Sequence, residues 1–247
     1  MIKLFMLIFI SLFGTSAFAQ ESSGSRFTEI SNTNSEASFF NIESRVRSAA
    51  VKVVTSTGHG SGTYMVYNGN HIVITAQHVT EQDSFVHINS ESGESIFAPV
   101  VYTNEAIDVA VILVGKMSTR TPMKFKEARS ISTPGTEIYY SGYPSNHNLL
   151  SIRGIVSGYA NNNAVSDTLI VFGYGWFGCS GSGLYDSKGN FVGVLWGVDV
   201  KMSPFGPQVI EDLIWVTPSS AIDKLALKEA MCKDEYSEHR TSNRMCR

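Results

Sequence analysis

The chain has 247 residues, 43% of them hydrophobic, enough to bury a full core. A formal net charge of −3 with 17% charged residues gives no broad basic field, so neither nucleic acid nor an anionic membrane surface is indicated as a partner.

The first nineteen residues hold one basic residue, Lys3, then an apolar run from Leu4 to Phe13 and small residues ending Ala17-Phe18-Ala19. This is the shape of a secretory signal peptide, and the run falls short of the ~20 residues of a membrane-spanning helix. Cleavage is expected after Ala19, releasing a secreted or periplasmic protein with no stable membrane span. Residues 20–40 then turn to Ser, Asn, Thr and Glu, which bury too little apolar area to order themselves and predict a flexible leader.

Phe39 to Arg47 reads as a short helix, and from Val51 the pattern becomes β. Strands are expected at Val51–Thr55, Gly62–Tyr67, His71–Thr75, Ser84–Ile88, Ile96–Tyr102 and Val109–Val114, with Asn68-Gly69-Asn70 as a hairpin turn. A link near residues 118–133, rich in Thr, Lys, Arg and Pro, precedes a second set: Glu137–Ser141, Leu149–Gly158, Thr168–Phe172, Gly183–Tyr185, Phe191–Asp199 and Ile214–Val216. Short strands separated by turn signals suit antiparallel barrels and not βαβ units. The fold class expected is all-β: two antiparallel six-stranded barrels with a site between them. A helix after Pro218 closes the domain, with Ser219 or Ser220 as its cap and Ala221, Ile222, Leu225, Leu227 and Ala230 on its apolar face. The folded domain is expected over residues 41–232, followed by a loose polar tail, 233–247. Cys232 and Cys246 can pair there, since an exported protein permits a disulfide.

Phe177-Gly178-Cys179-Ser180-Gly181-Ser182-Gly183 crowds small residues around one serine, which lets backbone N–H groups converge on a point. A serine hydroxyl needs a base to take its proton, and the base needs a third group to hold its tautomer. His78 closes the apolar run Ile72-Val73-Ile74, and Asp108 heads the run Val109–Val114, so each stands at a strand boundary. Taken singly, His78 reads equally as a structural histidine, Asp108 as a turn acid, and the serine turn as a plain surface loop. Together, in the order His, Asp, Ser, they are far more specific.

These pieces resemble a serine peptidase of the chymotrypsin fold, nearest the bacterial HtrA-type branch. The resemblance runs through Gly60-Ser61-Gly62-Thr63, Thr75-Ala76-Gln77-His78-Val79, Asp108-Val109-Ala110-Val111 and Gly178-Cys179-Ser180-Gly181-Ser182-Gly183, and covers roughly residues 45–225. It implies a triad of Ser180, His78 and Asp108, an oxyanion hole from the N–H groups of Gly178 and Ser180, and a protein or peptide substrate. It also implies a pocket floored by Tyr174 and walled by Trp196, Gly197 and Val198. A tyrosine floor offers no carboxylate to Lys or Arg, so cleavage after small or medium uncharged residues is expected.

The chain departs from the family at Cys179, Ser182 and Leu195, where the family commonly has an acid or Asn, a glycine and a serine. The alternative function is therefore a binding-only member of the same fold. A thiol nucleophile would have to stand directly before Gly181, where Ser180 stands instead, and the run does not fit Gly-x-Ser-x-Gly. His59, His71, His87, His147 and His239 have no second ligand at metal spacing, and no Gly-rich phosphate cradle precedes a helix, so no metal or cofactor is expected.

Overall fold

The computed structural model describes residues 33–127, 132–160 and 168–247. The expected signal peptide, its cleavage point and most of the leader lie outside the described residues. Contacts divide the chain into Met1–Thr33 and Asn34–Arg247, and both barrels belong to the second unit.

The first barrel is built from β1 (Ala50–Val54), β2 (His59–Tyr67), β3 (Asn70–Thr75), β4 (Phe85–Asn89), β5 (Ser95–Asn104) and β6 (Val109–Val114), in the order β1-β4-β5-β6-β3-β2. Pairing of β1 with β2 closes it, and β7 (Met123–Lys124) adds in parallel to the outside of β2. The turn between β2 and β3 places Asn68 and Gly69 at φ +48° and +81°, the two left-handed residues of a type I′ hairpin.

Period-two alternation explains why the strand runs Ile72-Val73-Ile74 and Val109–Val114 are continuously apolar. Val73, Ile112 and Val114 fill the first barrel, while Ile72, Ile74, Val109, Val111 and Leu113 pack outside it against Tyr139, Tyr185, Phe191 and Val194 of the second barrel. A strand buried on both faces has no side that calls for polar residues.

The second barrel closes as β10-β13-β12-β11-β8-β9, with β8 (Glu137–Gly142), β9 (Leu150–Ala160), β10 (Thr168–Phe172), β11 (Gly183–Asp186), β12 (Phe191–Ser203) and β13 (Gly206–Pro218). Its interior is Ile138, Tyr140, Val156, Leu169, Val171, Cys179, Leu184, Val192, Leu195, Ile214 and Val216. Two six-stranded antiparallel barrels and a C-terminal helix are thus the architecture.

Four expectations change in detail. The helix before the first barrel, α1 (Thr33–Ala49), is longer than the sequence suggests and buries Ile42, Val46 and Ala49 along one stripe. β13 begins at Gly206 and not near Ile214, because β12 and β13 continue as a ribbon with Ser203 opposite Gly206. The closing helix, after the one-turn α2 (Gln77–Thr80), is α3 (Lys224–Met231), and its cap is Asp223, whose carboxylate accepts the N–H groups of Leu225 and Ala226. Ser219 instead spends its hydroxyl on the carbonyl of Phe191, and Leu225 faces solvent.

The tail is tied down and not loose. Cys232 and Cys246 form a disulfide, Met245 is buried in the inter-barrel core, and Thr241 and Ser242 hydrogen bond to Gly69 and Asn70 of the β2–β3 turn.

Candidate active site

β3 and β6 are hydrogen-bonded neighbours with Thr75 opposite Ala110, so the end of one strand lies beside the start of the other. The chain leaves β3 into α2 (Gln77–Thr80), a single turn that carries His78. It enters β6 from a 3-10 turn, Glu105–Ile107, that stops at Asp108 in the left-handed region (φ 50°, ψ 53°). An aspartate tolerates that conformation better than most residues. The result is a two-point clamp: Asp108 Oδ2 accepts His78 Nδ1 at 2.7 Å, and Oδ1 accepts the backbone N–H of His78 at 2.9 Å. The acid side chain is 22% exposed and the imidazole 43%, so the opposite ring edge, Nε2, is the accessible one.

Ser180 lies in the tight turn between β10 and β11. Gly178 and Gly181 hold φ of +96° and +93°. A Cβ at Gly181 would stand 2.0 Å from the carbonyl oxygen of Ser61, and one at Gly178 2.4 Å from that of Tyr143, so neither tolerates a side chain. Ser180 Oγ donates to the carbonyl of Trp196 at 3.5 Å, and among the described residues no hydrogen bond joins it to His78.

The serine turn and the histidine turn nonetheless share a wall. Val79, next to His78, and the carbonyl of Ser180 both lie within about 3 Å of where a Gly60 side chain would begin. The backbone N–H groups of Gly178 and Ser180 have no acceptor among the described residues.

Cys179 is fully buried in the second barrel's core, and burial, opposed in part by a backbone hydrogen bond from Trp176 to the sulfur, pushes its thiol up to about 11. Ser182 is equally buried, and its hydroxyl has no hydrogen-bond partner among the described residues. Leu195 points into the same core, while its backbone receives Gly181 N–H and donates to Ser182.

Trp196, Gly197 and Val198 follow one another on β12, and Tyr174 precedes the serine turn. Trp196 packs at 5.6 Å on Trp215, and a Cβ at Gly175 would strike Ile214 and Val198, so Gly175 lies flush against that wall. Tyr174, whose carbonyl accepts the Tyr140 hydroxyl, lines a separate cavity of about 480 Å³ with Ile155, Phe172 and Glu211, to which Ser180, Trp196, Gly197 and Val198 contribute nothing.

Sequence reasoning gave Ser61 and Thr75 no role, although both bear on the site. Thr75 Oγ1 donates to the Ser61 carbonyl at 2.7 Å, and Ser61 Oγ donates to the Gly178 carbonyl at 2.7 Å. The signal available was a serine between two glycines inside a strand, where small residues mark close backbone approach.

Paired barrels, with a clamped histidine on the first and a serine in a glycine-bearing turn of the second, define a trypsin-like serine endopeptidase. Residues 60–194, more than half of the chain, match the trypsin-like peptidase domain, and the chain belongs to that family.

Solved structures agree on the fold. An inactive form of Rv3671c from M. tuberculosis H37Rv superposes with a TM-score of 0.60 at 17% identity, covering 78% of this chain and 91% of that one. The HtrA-type protease AlgW with a tripeptide gives 0.62 at 22% identity, over 78% of this chain and 63% of that one. A variant of AlgW with a decapeptide gives 0.62 at 19%, over 80% and 67%. This chain therefore spans about two thirds of the AlgW chains it matches. No curated protein matches the sequence.

Proposed function

We propose that this protein is an exported serine endopeptidase that cleaves peptide bonds through an acyl-enzyme, with Ser180 as nucleophile, His78 as base and Asp108 as the group that orients it. The observation that carries the reading is the two-point clamp on His78. Asp108 takes both the ring Nδ1–H and the backbone N–H of one residue, which fixes the ring and leaves Nε2 as the nitrogen with a free lone pair.

In the reaction Nε2 takes the proton of Ser180 Oγ as the oxygen attacks the substrate carbonyl. The oxyanion accepts hydrogen bonds from the N–H groups of Gly178 and Ser180. The imidazolium, steadied by Asp108, then returns the proton to the departing amine, and water repeats the sequence on the acyl-enzyme. The long Ser180–Trp196 bond is weak, so the hydroxyl turns toward His78 at little cost when substrate arrives.

Trp196, Gly197 and Val198 wall the pocket for the residue before the cut and carry no charge, which favours small or medium uncharged side chains; Tyr174, which opens on the separate cavity, is not needed for that preference. The signal peptide delivers the chain across a membrane and is removed after Ala19.

The binding-only reading draws on one observation, the absence of a hydrogen bond between Ser180 and His78. Hydrolysis of a peptide library separates the two. Mature protein is expected to cut after residues such as Ala, Val or Leu, and Ser180→Ala to be inert with an unchanged Tm. A folded wild-type protein that binds peptides and cuts none of them supports the binding-only reading instead. Dominant cleavage after Lys or Arg removes the uncharged-pocket reading.

A further inference from the structure

Each carbonyl from Phe177 to Ser180 has one fixed donor. Phe177 O accepts Ser145 N–H at 2.7 Å and Cys179 O accepts Ser182 N–H at 3.0 Å. The other two belong to a single residue of the opposite barrel: Gly178 O accepts Ser61 Oγ–H at 2.7 Å, and Ser180 O accepts Ser61 N–H at 2.8 Å.

In a trans peptide unit the N–H points opposite to its C=O, so each tethered carbonyl aims the N–H that follows it. The Phe177 tether aims Gly178 N–H, and the Cys179 tether aims Ser180 N–H. Both of these N–H groups lack an acceptor among the described residues. Gly178 is the soft joint between them, because a glycine at φ +96° has no side chain to resist rotation of either flanking plane. Its orientation therefore depends on the hydrogen bonds to Phe177 O and Gly178 O, together with the one that Cys179 N–H donates to Trp176 O at 2.9 Å.

Ser61 is fully buried, and every polar group it owns is used. Besides the two bonds to the serine turn, its hydroxyl accepts Tyr143 N–H at 2.9 Å and its carbonyl accepts the hydroxyl of Thr75, three residues before His78.

We infer that Ser61 is a positioning residue for the peptidase site: its hydroxyl locks the Gly178–Cys179 peptide plane that sets the oxyanion-binding N–H pair, and its main chain ties that turn to the strand that delivers His78. It touches neither substrate nor the reacting atoms. The inference rests on Ser180 being the nucleophile.

Ser61→Ala deletes the hydroxyl and leaves the bond from residue 61 N–H to Ser180 O in place. Losing one oxyanion donor costs about 10²–10³ in kcat, and loosening one of two places the expected loss near the lower end, about 10²-fold. KM is expected to stay within about twofold, because the interaction strengthens only in the transition state. Affinity for a peptide boronic acid, whose serine adduct puts an oxygen in the hole, falls by the same factor as kcat. Ser61→Thr keeps the hydroxyl and recovers most of both.

A purely structural serine would lower Tm and leave kcat per folded molecule and boronate affinity alone. That result, or Ser61→Ala with kcat within about threefold of wild type, overturns the inference. If Ser61→Ala does not fold, Ser61→Cys, close in size and a poor donor, carries the same comparison. A wild-type protein that ignores the boronate defeats the nucleophile reading itself, which is a distinct outcome.

Discussion

Replacing Asp108 with Asn is the sharpest single perturbation of the site. Asn tolerates the left-handed backbone that Asp108 occupies, so the turn into β6 is expected to survive. The two oxygens are not equivalent, because Oδ1 receives the backbone N–H of His78 and Oδ2 receives the ring Nδ1–H. The amide oxygen of Asn must stay on the backbone N–H, which otherwise loses its acceptor, and this turns the amide NH2 toward Nδ1. Nδ1 then becomes an acceptor, the proton moves to Nε2, and the ring faces Ser180 in the tautomer that cannot take a proton. Such a tautomer error costs about 10⁴ in kcat in enzymes of this design, which corresponds to about 5.4 kcal/mol at 1.36 kcal/mol per decade. The assay is steady-state hydrolysis of a fluorogenic peptide at pH 7.5, with Tm measured alongside. Asp108→Asn retaining more than about a tenth of wild-type kcat, with Tm unchanged, would show that the clamp does not set the working tautomer.

Other outcomes follow from the same contacts. Cys179, buried and with its thiol pushed up to about 11, is expected to resist iodoacetamide at pH 8 in the native protein and to react once unfolded; rapid native alkylation contradicts its burial. Burial raises the pKa of Glu94, but hydrogen bonds from Ser118 and Thr119 outweigh it and bring the carboxyl down from 4.5 to about 2. A depressed carboxyl stabilises above 4.5 and loses that contribution as pH falls toward about 2, so the wild-type Tm advantage over Glu94→Gln is expected at pH 7 and gone near pH 2; an advantage independent of pH contradicts the charge-based account. Cys232 and Cys246 are 14 residues apart, so replacing both with Ser is expected to cost about 3 kcal/mol in urea unfolding, and no loss would mean the tail holds without its crosslink.

The strands were legible where burial wrote them into the sequence. Val109–Val114 is identical in expectation and structure, since both of its faces are covered. The ribbon beyond Asp199 was hidden because Lys201, Pro207 and Gln208 are exposed and pair only through the backbone ladder. β7 is two residues whose strand character comes from lying beside β2, which no local pattern records. In the site, His78 and Asp108 stood out because each marks the end of its own apolar run. The Ser61 hydroxyl did not, since its partners are 82 and 117 residues away and its packing is purely tertiary. Asp223 was overlooked as a cap because Ser219 and Ser220 offer the same chemistry a few residues earlier, and only the fold shows that Ser219 is spent on Phe191.

Fluorophosphonate labelling tests the central claim most directly, because it needs a nucleophile, a base and an oxyanion hole but no knowledge of the substrate. The mature protein is expected to form one stoichiometric adduct that peptide mass spectrometry places on Ser180, and His78→Ala is expected to slow its formation by orders of magnitude. A folded protein that takes up no label, or one labelled equally fast with and without His78, contradicts the assignment of Ser180 as an activated nucleophile.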